Sequence, residues 1–373
     1  MKRSIVALLA LCAGLSPVYG ATDWRIETAP KYDAMCLIGI LAGDSFYTRY
    51  YESELAELQS LLSEDTFAAA RRSYEAFKEQ KILAGPWLAL AYSAVEGDTL
   101  AAAIAATEDP EDMRRGLEAS QYWDEREWSV FTQVRRDLLV MFRGFAEAGF
   151  TDWWRENAQQ PSLTRAAELR PRLADIDVVP MIERAVGRDL PLNRITLYAT
   201  RFCRPHGIRI TDDRFLLDIV DSSDPLSIAG ATAIHEMIHP PFDEQDERIV
   251  RVIELLKKDT FVLRRWKEHD PAFGYNTFEG YVDENVTKAL DQLIGERVGM
   301  TFMDDVEQRW LQNDEGMHVL AAAVYELMSR EHFLDGNEDA TEFLDRMVRE
   351  KKLAPGRIES LVPESLRSAS VQP

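Results

Sequence analysis

Two histidines and a glutamate stand together in one short stretch of this chain, His235-Glu236-Met237-Ile238-His239. In a helix, side chains at positions i and i+4 project from one face about one turn apart, so both imidazoles can bind the same metal ion. Imidazole nitrogens are common zinc ligands, and Glu236 can reach a water on the metal without binding the metal itself. The chain has only six histidines among 373 residues, so chance rarely produces this pattern. The spacing predicts a Zn²⁺ site with Glu236 as the catalytic base.

A catalytic zinc needs a third protein ligand and keeps a fourth position open. A third histidine close downstream would require Gly at 242 and His at 245, but these positions hold Phe242 and Gln245. A glutamate from a later helix is the other arrangement, and the helix predicted to start near Thr277 carries two candidates, Glu279 and Glu284.

A helical wheel distinguishes these two carboxylates. Glu279 shares a face with the apolar stripe through Val282 and Val286, whereas Glu284 lies about 140° round the helix. Because a carboxylate on an apolar stripe needs a cationic partner, the wheel favours Glu279 as the third ligand, with Glu284 as the alternative. Asp283 is then placed to accept the second N–H of a ligating histidine.

Hydrolysis at such a site also needs a donor that stabilises the developing oxyanion. By residue type the candidate donors are Tyr281, Tyr275, His206 and His318. Each of them also has a purely structural interpretation, as a packed aromatic, a turn residue or a buried helix residue.

The motif followed by Phe278-Glu279-Gly280-Tyr281 resembles the gluzincin branch of zinc metallopeptidases, over roughly residues 175–295. The resemblance implies a zincin-like core, an edge strand that holds extended peptide, and an exported peptidase in which Glu236 activates a zinc-bound water. It implies Zn²⁺ as cofactor and a peptide or protein as substrate. Pro240, directly after the second histidine, departs from the family pattern and places His239 in the last helical turn. The alternative is a zinc-binding non-peptidase, or a degenerate module that binds a partner; the intact Glu236 favours an enzyme.

The elements that must position these residues are mostly helical. Helical periodicity runs from Ser45 to about Phe150, again over 163–173 and 178–186, then from Asp224 to about His239, over 246–267, and from Thr277 onward. Three short β-like runs at 195–198, 209–211 and 215–220 lie between them. The predicted fold class is α+β, predominantly α-helical, with a small mixed sheet beside the motif helix.

The N-terminus predicts export. Lys2 and Arg3 precede an apolar run, and Val18-Tyr19-Gly20 ends in a small residue at the expected cleavage site. This pattern is typical of a signal peptide over residues 1–20. We divide the remainder into a helical N-terminal region, residues 21–160, and a zincin-like region with a helical C-terminal part, residues 161–373. The expected localisation is periplasmic or secreted.

Net charge limits the classes of partner. The chain carries −21, and removal of the signal leaves 41 basic against 64 acidic residues, or −23. This balance argues against a nucleic-acid binder and against binding to anionic membranes. Cys36 and Cys203, the cysteines left after cleavage, could pair in an oxidising compartment, and buried free thiols are the alternative.

Overall fold

The computed structural model describes residues 22–120, 122–190, 194–211, 214–221, 224–269, 273 and 275–368. The fold is α+β and predominantly helical, with one small mixed four-stranded sheet, as the sequence predicts. The predicted signal peptide lies outside the described residues. None of the helices in the described ranges is long and apolar enough to cross a membrane.

The N-terminal region is a stack of helices around its own apolar core. Ser63 and Asp124 begin two of the longer helices by accepting hydrogen bonds from free backbone N–H groups of the first turn. The stack begins earlier than the predicted Ser45, because its first helix is buried along nearly its whole length and shows no polar face in the sequence. The helices are α1 (Pro30–Ala42), α2 (Ser45–Thr48), α3 (Glu52–Leu61), α4 (Glu64–Glu79), α5 (Ala84–Ser93), α6 (Leu100–Glu108), α7 (Glu111–Glu118), α8 (Glu125–Glu147) and α9 (Phe150–Trp154), followed by a π-helical turn (Arg155–Gln159). The next helix, α10 (Gln160–Leu173), instead buries Ala166, Leu169 and Leu173 in the core of the C-terminal helices.

Four strands form the sheet in the spatial order β1-β2-β4-β3. β1 pairs parallel with β2 and β2 parallel with β4, whereas β3 runs antiparallel to β4 at one edge. Three of the strands coincide with the predicted runs, and β1 was missed because only one of its residues, Ile26, is buried. The strands are β1 (Asp23–Glu27), β2 (Arg194–Ala199), β3 (Ile208–Ile210) and β4 (Arg214–Leu217).

The sheet is buried on both faces. Leu197 and Phe215 point into a core shared with the C-terminal helices, whereas Tyr198 and Leu216, one residue along each strand, point into the core of the N-terminal helices. Alternation of side chains along a strand produces this division. The sheet therefore joins the two cores, and it includes β1, which precedes the N-terminal helices in the chain.

The C-terminal region consists of further helices packed on the second core. The single helix predicted over 246–267 is two helices, because Asp259 accepts hydrogen bonds from Phe261 N and Val262 N and begins a new one. These helices are α11 (Val179–Val186), α12 (Pro225–Ile238), α13 (Glu247–Leu256), α14 (Thr260–Glu268), α15 (Phe278–Val298), α16 (Val306–Gln312), α17 (Val319–Arg330), α18 (Ala340–Arg349), α19 (Ile358–Leu361) and α20 (Glu364–Ser368).

Candidate metal centre

The motif helix α12 is held at both ends by polar groups. Asp224 accepts hydrogen bonds from the backbone N–H and the hydroxyl of Ser227, and Pro225 occupies the first turn, where its missing N–H costs nothing. At the other end Arg188 and Arg209 donate to the last carbonyl groups, those of Glu236 to Pro240. His239 lies one residue beyond the helix in extended backbone, so α12 ends a residue earlier than predicted.

Two imidazoles and one carboxylate converge beside α12. Nε2 of His239 lies 3.2 Å from Nε2 of His235 and 3.2 Å from Oε2 of Glu284, and Nε2 of His235 lies 3.7 Å from Oε1 of Glu284. Ligands about 2.0–2.1 Å from a tetrahedral ion lie about 3.3 Å from one another. The three groups therefore have the spacing of a zinc ligand set.

The remaining ring nitrogen of each histidine contacts an aspartate of α15. Nδ1 of His239 lies 2.8 Å from Asp283 Oδ1, and Nδ1 of His235 lies 2.7 Å from Asp291 Oδ2. Asp291 is in turn paired with Arg309, at 2.6 Å. A carboxylate that accepts the Nδ1–H directs the Nε2 lone pair toward the opposite side, so both lone pairs point into the cluster.

The structure brings the alternative carboxylate, not the preferred one, to the two histidines. Glu279 lies away from the histidines, with its side chain 42% exposed and paired with Lys257 at 2.8 Å. Glu284, the alternative, is the carboxylate that forms the cluster with His235 and His239. Asp283 lies beside His239, in the contact expected of it.

The wheel favoured Glu279 because it assumed a solvent face on α15, and α15 has no such face along much of its length. Nearly every residue from Tyr281 to Gly295 is buried, and the helix packs against both α12 and α17. The side opposite the apolar stripe therefore faces the motif helix instead of water. The signal in the sequence was the recurrence of polar residues one turn apart, at Glu284, Lys288 and Asp291, on a helix otherwise rich in apolar residues.

Excess negative charge surrounds the cluster. Burial alone lowers the pKa of His239, but hydrogen bonds to Asp283 and Glu284 and the charges of both carboxylates outweigh it and raise the pKa to about 10. Burial raises the pKa of Glu284, but Lys288 and the two histidines outweigh it and hold the pKa well below its ordinary value. Both shifts show that the carboxylates favour a cation here, and a proton or a metal ion can be that cation.

The donor set also passes a test of fit for a metal. Glu284 is buried, with the Lys288 ammonium 2.9 Å from Oε1 and Nε2 of His239 3.2 Å from Oε2. Two neutral imidazole nitrogens and a carboxylate oxygen are the donors that zinc binds at catalytic sites.

Two cavities open beside the cluster. One, of about 470 Å³, is lined by His235, Glu236 and Glu284 together with residues of the α15 to α16 segment. The other, of about 700 Å³, lies between the motif helix and the N-terminal helices and is lined by Glu236 and His239. Glu236 borders both cavities and is therefore accessible to a ligand in either.

The four candidate oxyanion donors separate into two pairs. Tyr275 and His206 line the 470 Å³ cavity. Tyr281 and His318 are wholly buried: the Tyr281 hydroxyl donates to Met317 O at 2.8 Å, and the His318 ring contacts Asp314 and Asn285. Tyr281 and His318 therefore lie in the core and do not line the 470 Å³ cavity.

Tyr275 lies beside Glu284 of the ligand cluster. Burial raises the pKa of its hydroxyl well above the ordinary value, and the neighbouring charge of Glu284 adds to the effect. The hydroxyl therefore keeps its proton at neutral pH and can donate it in a hydrogen bond. Tyr275 has a left-handed backbone, φ 53°, and its ring packs edge-on against His318 at 5.6 Å between centroids.

Comparison with models of protein families, with curated proteins and with solved structures found no match.

Proposed function

We propose that the protein is a zinc-dependent peptidase in which His235, His239 and Glu284 bind the metal and Glu236 is the general base. The observation that carries the proposal is the convergence of three ligand atoms at 3.2–3.7 Å beside two cavities that Glu236 also lines. The resemblance of the motif to gluzincins supports the same reaction, and a zincin-like core is part of the proposal.

The chemistry that a bound Zn²⁺ supplies is polarisation of the substrate carbonyl and a lowered pKa of water at the site. Glu236 takes the proton from the attacking water and passes it to the leaving amine. Tyr275 donates a hydrogen bond to the carbonyl oxygen as negative charge develops on it. Asp283 and Asp291 keep the imidazoles oriented through the Nδ1 contacts.

The substrate would lie as an extended peptide along β3. This strand forms one edge of the sheet, and its residues Ile208 and Arg209 line the larger cavity beside Glu236. An edge strand can pair with an added strand through main-chain hydrogen bonds, which bind peptides largely independently of sequence. Export of the chain, predicted from residues 1–20, is part of the same proposal.

Metal content is the first test. The mature protein, purified and dialysed without chelator, is expected to hold about one zinc per chain by elemental analysis. Glu284→Ala should lose this metal, whereas Glu279→Ala, a matched control on the same helix, should keep it. Equal zinc in both variants would contradict the ligand set, and the absence of zinc from the wild type would contradict the metal site.

Peptide hydrolysis is the second test. Wild type and Glu236→Gln are incubated with a peptide library and with unfolded protein, and products are identified by mass spectrometry. Loss of the general base should lower kcat by about 10²–10⁴-fold while zinc content is unchanged. Zinc binding without hydrolysis in the wild type would instead support the alternative, a metal-bound module that binds a partner.

A further inference from the structure

The two cavities lie side by side at the motif and are here together called the cleft. Both are lined by His206, Gly207 and Glu236. The half of the cleft on the side of the N-terminal helices, here called the N-terminal arm, is walled by Leu83, Trp87, Leu90, Tyr122 and Glu127. The residues of this wall come from the first 160 residues, not from the region that carries the zinc motif.

Exposed apolar side chains lie in and beside this cleft. Among the described residues, Leu83 is the most exposed large apolar side chain, at 55%. Phe302, 36% exposed, lines the other half of the cleft, and the ring of Phe46, 43% exposed, lies 6.1 Å from that of His206. Exposed apolar side chains that cluster at a cavity mark a binding surface for an apolar ligand.

Neighbouring side chains hold Trp87, one residue of the wall of the N-terminal arm, in place. The indole of Trp87 donates a hydrogen bond to Glu127 and packs on Phe77 and Phe131, with ring centroids 5.3 and 5.9 Å away. Trp87 itself is only 7% exposed, whereas Leu83 is 55% exposed and lines the same cavity. A preformed apolar wall favours a large apolar side chain over a small or charged one.

We infer that the N-terminal arm is a specificity subsite that binds a large apolar side chain, Leu, Met, Phe or Trp, of an extended peptide on one side of the scissile bond. This inference rests on the proposed function for the position of the scissile bond. The occupant is a peptide substrate, because the cavity that contains this arm is also lined by Glu236, the proposed general base, and by Ile208 and Arg209 of the edge strand β3.

The variant that tests the subsite is Leu83→Asp. Leu83 is the residue that precedes the first turn of α5, where an aspartate side chain can accept hydrogen bonds from free N–H groups, so the variant should fold. The matched control is Val140→Asp on α8, which is 44% exposed and lines neither cavity. Both variants are compared with wild type by circular dichroism and thermal unfolding before assay.

Cleavage sites in a randomised peptide library are the first readout. Wild type should show enrichment for Leu, Met, Phe or Trp at one position on one side of the cut. Leu83→Asp should lower kcat/KM for those peptides by about tenfold, the usual effect of losing apolar contact in a pocket, while peptides with Ala at that position change little. Val140→Asp should match wild type.

Binding without turnover is the second readout. Fluorescein-labelled peptides with Leu or Phe, or with Ala throughout, are titrated by anisotropy into Glu236→Gln and into the Glu236→Gln, Leu83→Asp double variant. The apolar peptides should bind more tightly, and the double variant should lose that preference.

Cleavage without an apolar preference, or equal effects of Leu83→Asp and Val140→Asp, would overturn the subsite and leave the proposed function intact. Leu83-dependent binding of apolar peptides without any cleavage would support the subsite and overturn the peptidase reaction. Neither binding nor cleavage would overturn both.

Discussion

The buried histidine His318 links the stability of the protein to pH. Its Nε2 lies 2.6 Å from Asp314 Oδ2 and its Nδ1 lies 3.2 Å from Asn285 Nδ2, so the neutral ring donates to the carboxylate and accepts from the amide. Burial, reinforced by the charge of Lys288, lowers the pKa of His318 to about 4. The folded ring therefore stays neutral under conditions in which the ring in the unfolded chain is protonated.

The first prediction concerns acid unfolding. Below about pH 6.5 the unfolded state binds a proton at His318 that the folded state does not bind until about pH 4. Stability should fall as the pH decreases through this window, by up to about 1.4 kcal/mol per pH unit from this group. His318→Gln should flatten the slope of unfolding free energy against pH, measured by urea denaturation. His332→Gln, at an exposed position, is the control, and an unchanged slope in His318→Gln would contradict the assignment.

The second prediction concerns the cysteines. Cys36 and Cys203 are both buried free thiols, and burial raises the pKa of each thiol well above its usual range. Because the thiolate is the reactive form, neither should react with a thiol reagent at pH 8 in the native protein. Both should react after denaturation without reductant. Thiols that become titratable only after reductant is added would show that the two cysteines pair instead.

At the scale of elements, the stability of α12 depends on Asp224, the residue that caps its first turn. Asp224 accepts from the Ser227 N–H at 3.3 Å and from the Ser227 hydroxyl at 2.6 Å. Asp224→Ala should lower the free energy of unfolding by about 1 kcal/mol, whereas Asp224→Asn, which can still cap the helix, should cost a few tenths. Denaturant titration followed by circular dichroism measures both. Equal losses would mean that the charge of Asp224, not its cap, stabilises the helix.

The sequence was sufficient for elements whose signals are local. The Asp224-Pro225 start of α12, the three short β-like runs after residue 190 and the helical pattern that begins near Thr277 are all signals carried by neighbouring residues. The i, i+4 spacing of His235 and His239 is local in the same sense, and the structure brings the two imidazoles together.

What the sequence could not provide depended on contacts between distant segments. The choice between Glu279 and Glu284 required knowing that α12 covers the polar side of α15. Asp291 and its partner Arg309 were missed as members of the site for the same reason, because Arg309 reaches Asp291 from another helix. β1 was missed although Asp23–Glu27 alternates polar and apolar residues, because so short a run becomes a strand only through its parallel pairing with the distant β2.

At the scale of the whole molecule, the two cores are joined by the sheet. Tyr198 on β2 inserts among the N-terminal helices, with its ring 4.8 Å from that of Tyr32 in an edge-on contact and its hydroxyl donating to Asp98 at 3.0 Å. The side chain is 6% exposed. It therefore carries part of the packing between the sheet and the N-terminal region.

The last prediction tests this junction. Tyr198→Ala should lower the free energy of unfolding by about 3–5 kcal/mol, as removal of a buried aromatic ring does, and Tyr198→Phe by about 1 kcal/mol through loss of one hydrogen bond. Unfolding is followed by tryptophan fluorescence and by circular dichroism, and the two curves should coincide in the wild type if the cores unfold together. A loss below about 1 kcal/mol in the alanine variant would contradict a packed junction.

The two arginines at the end of α12 have a consequence for recognising distant relatives. Arg188, just after α11, and Arg209, on β3, together serve the last carbonyl groups of the motif helix. A lysine, with a single compact ammonium group, cannot replace a planar guanidinium that donates to several carbonyls at once. A diverged homologue should therefore keep an arginine at both positions, along with Asp283, Glu284 and Asp291, even where the exposed surface has changed. A search pattern built on these widely spaced residues is more discriminating than the five-residue motif alone.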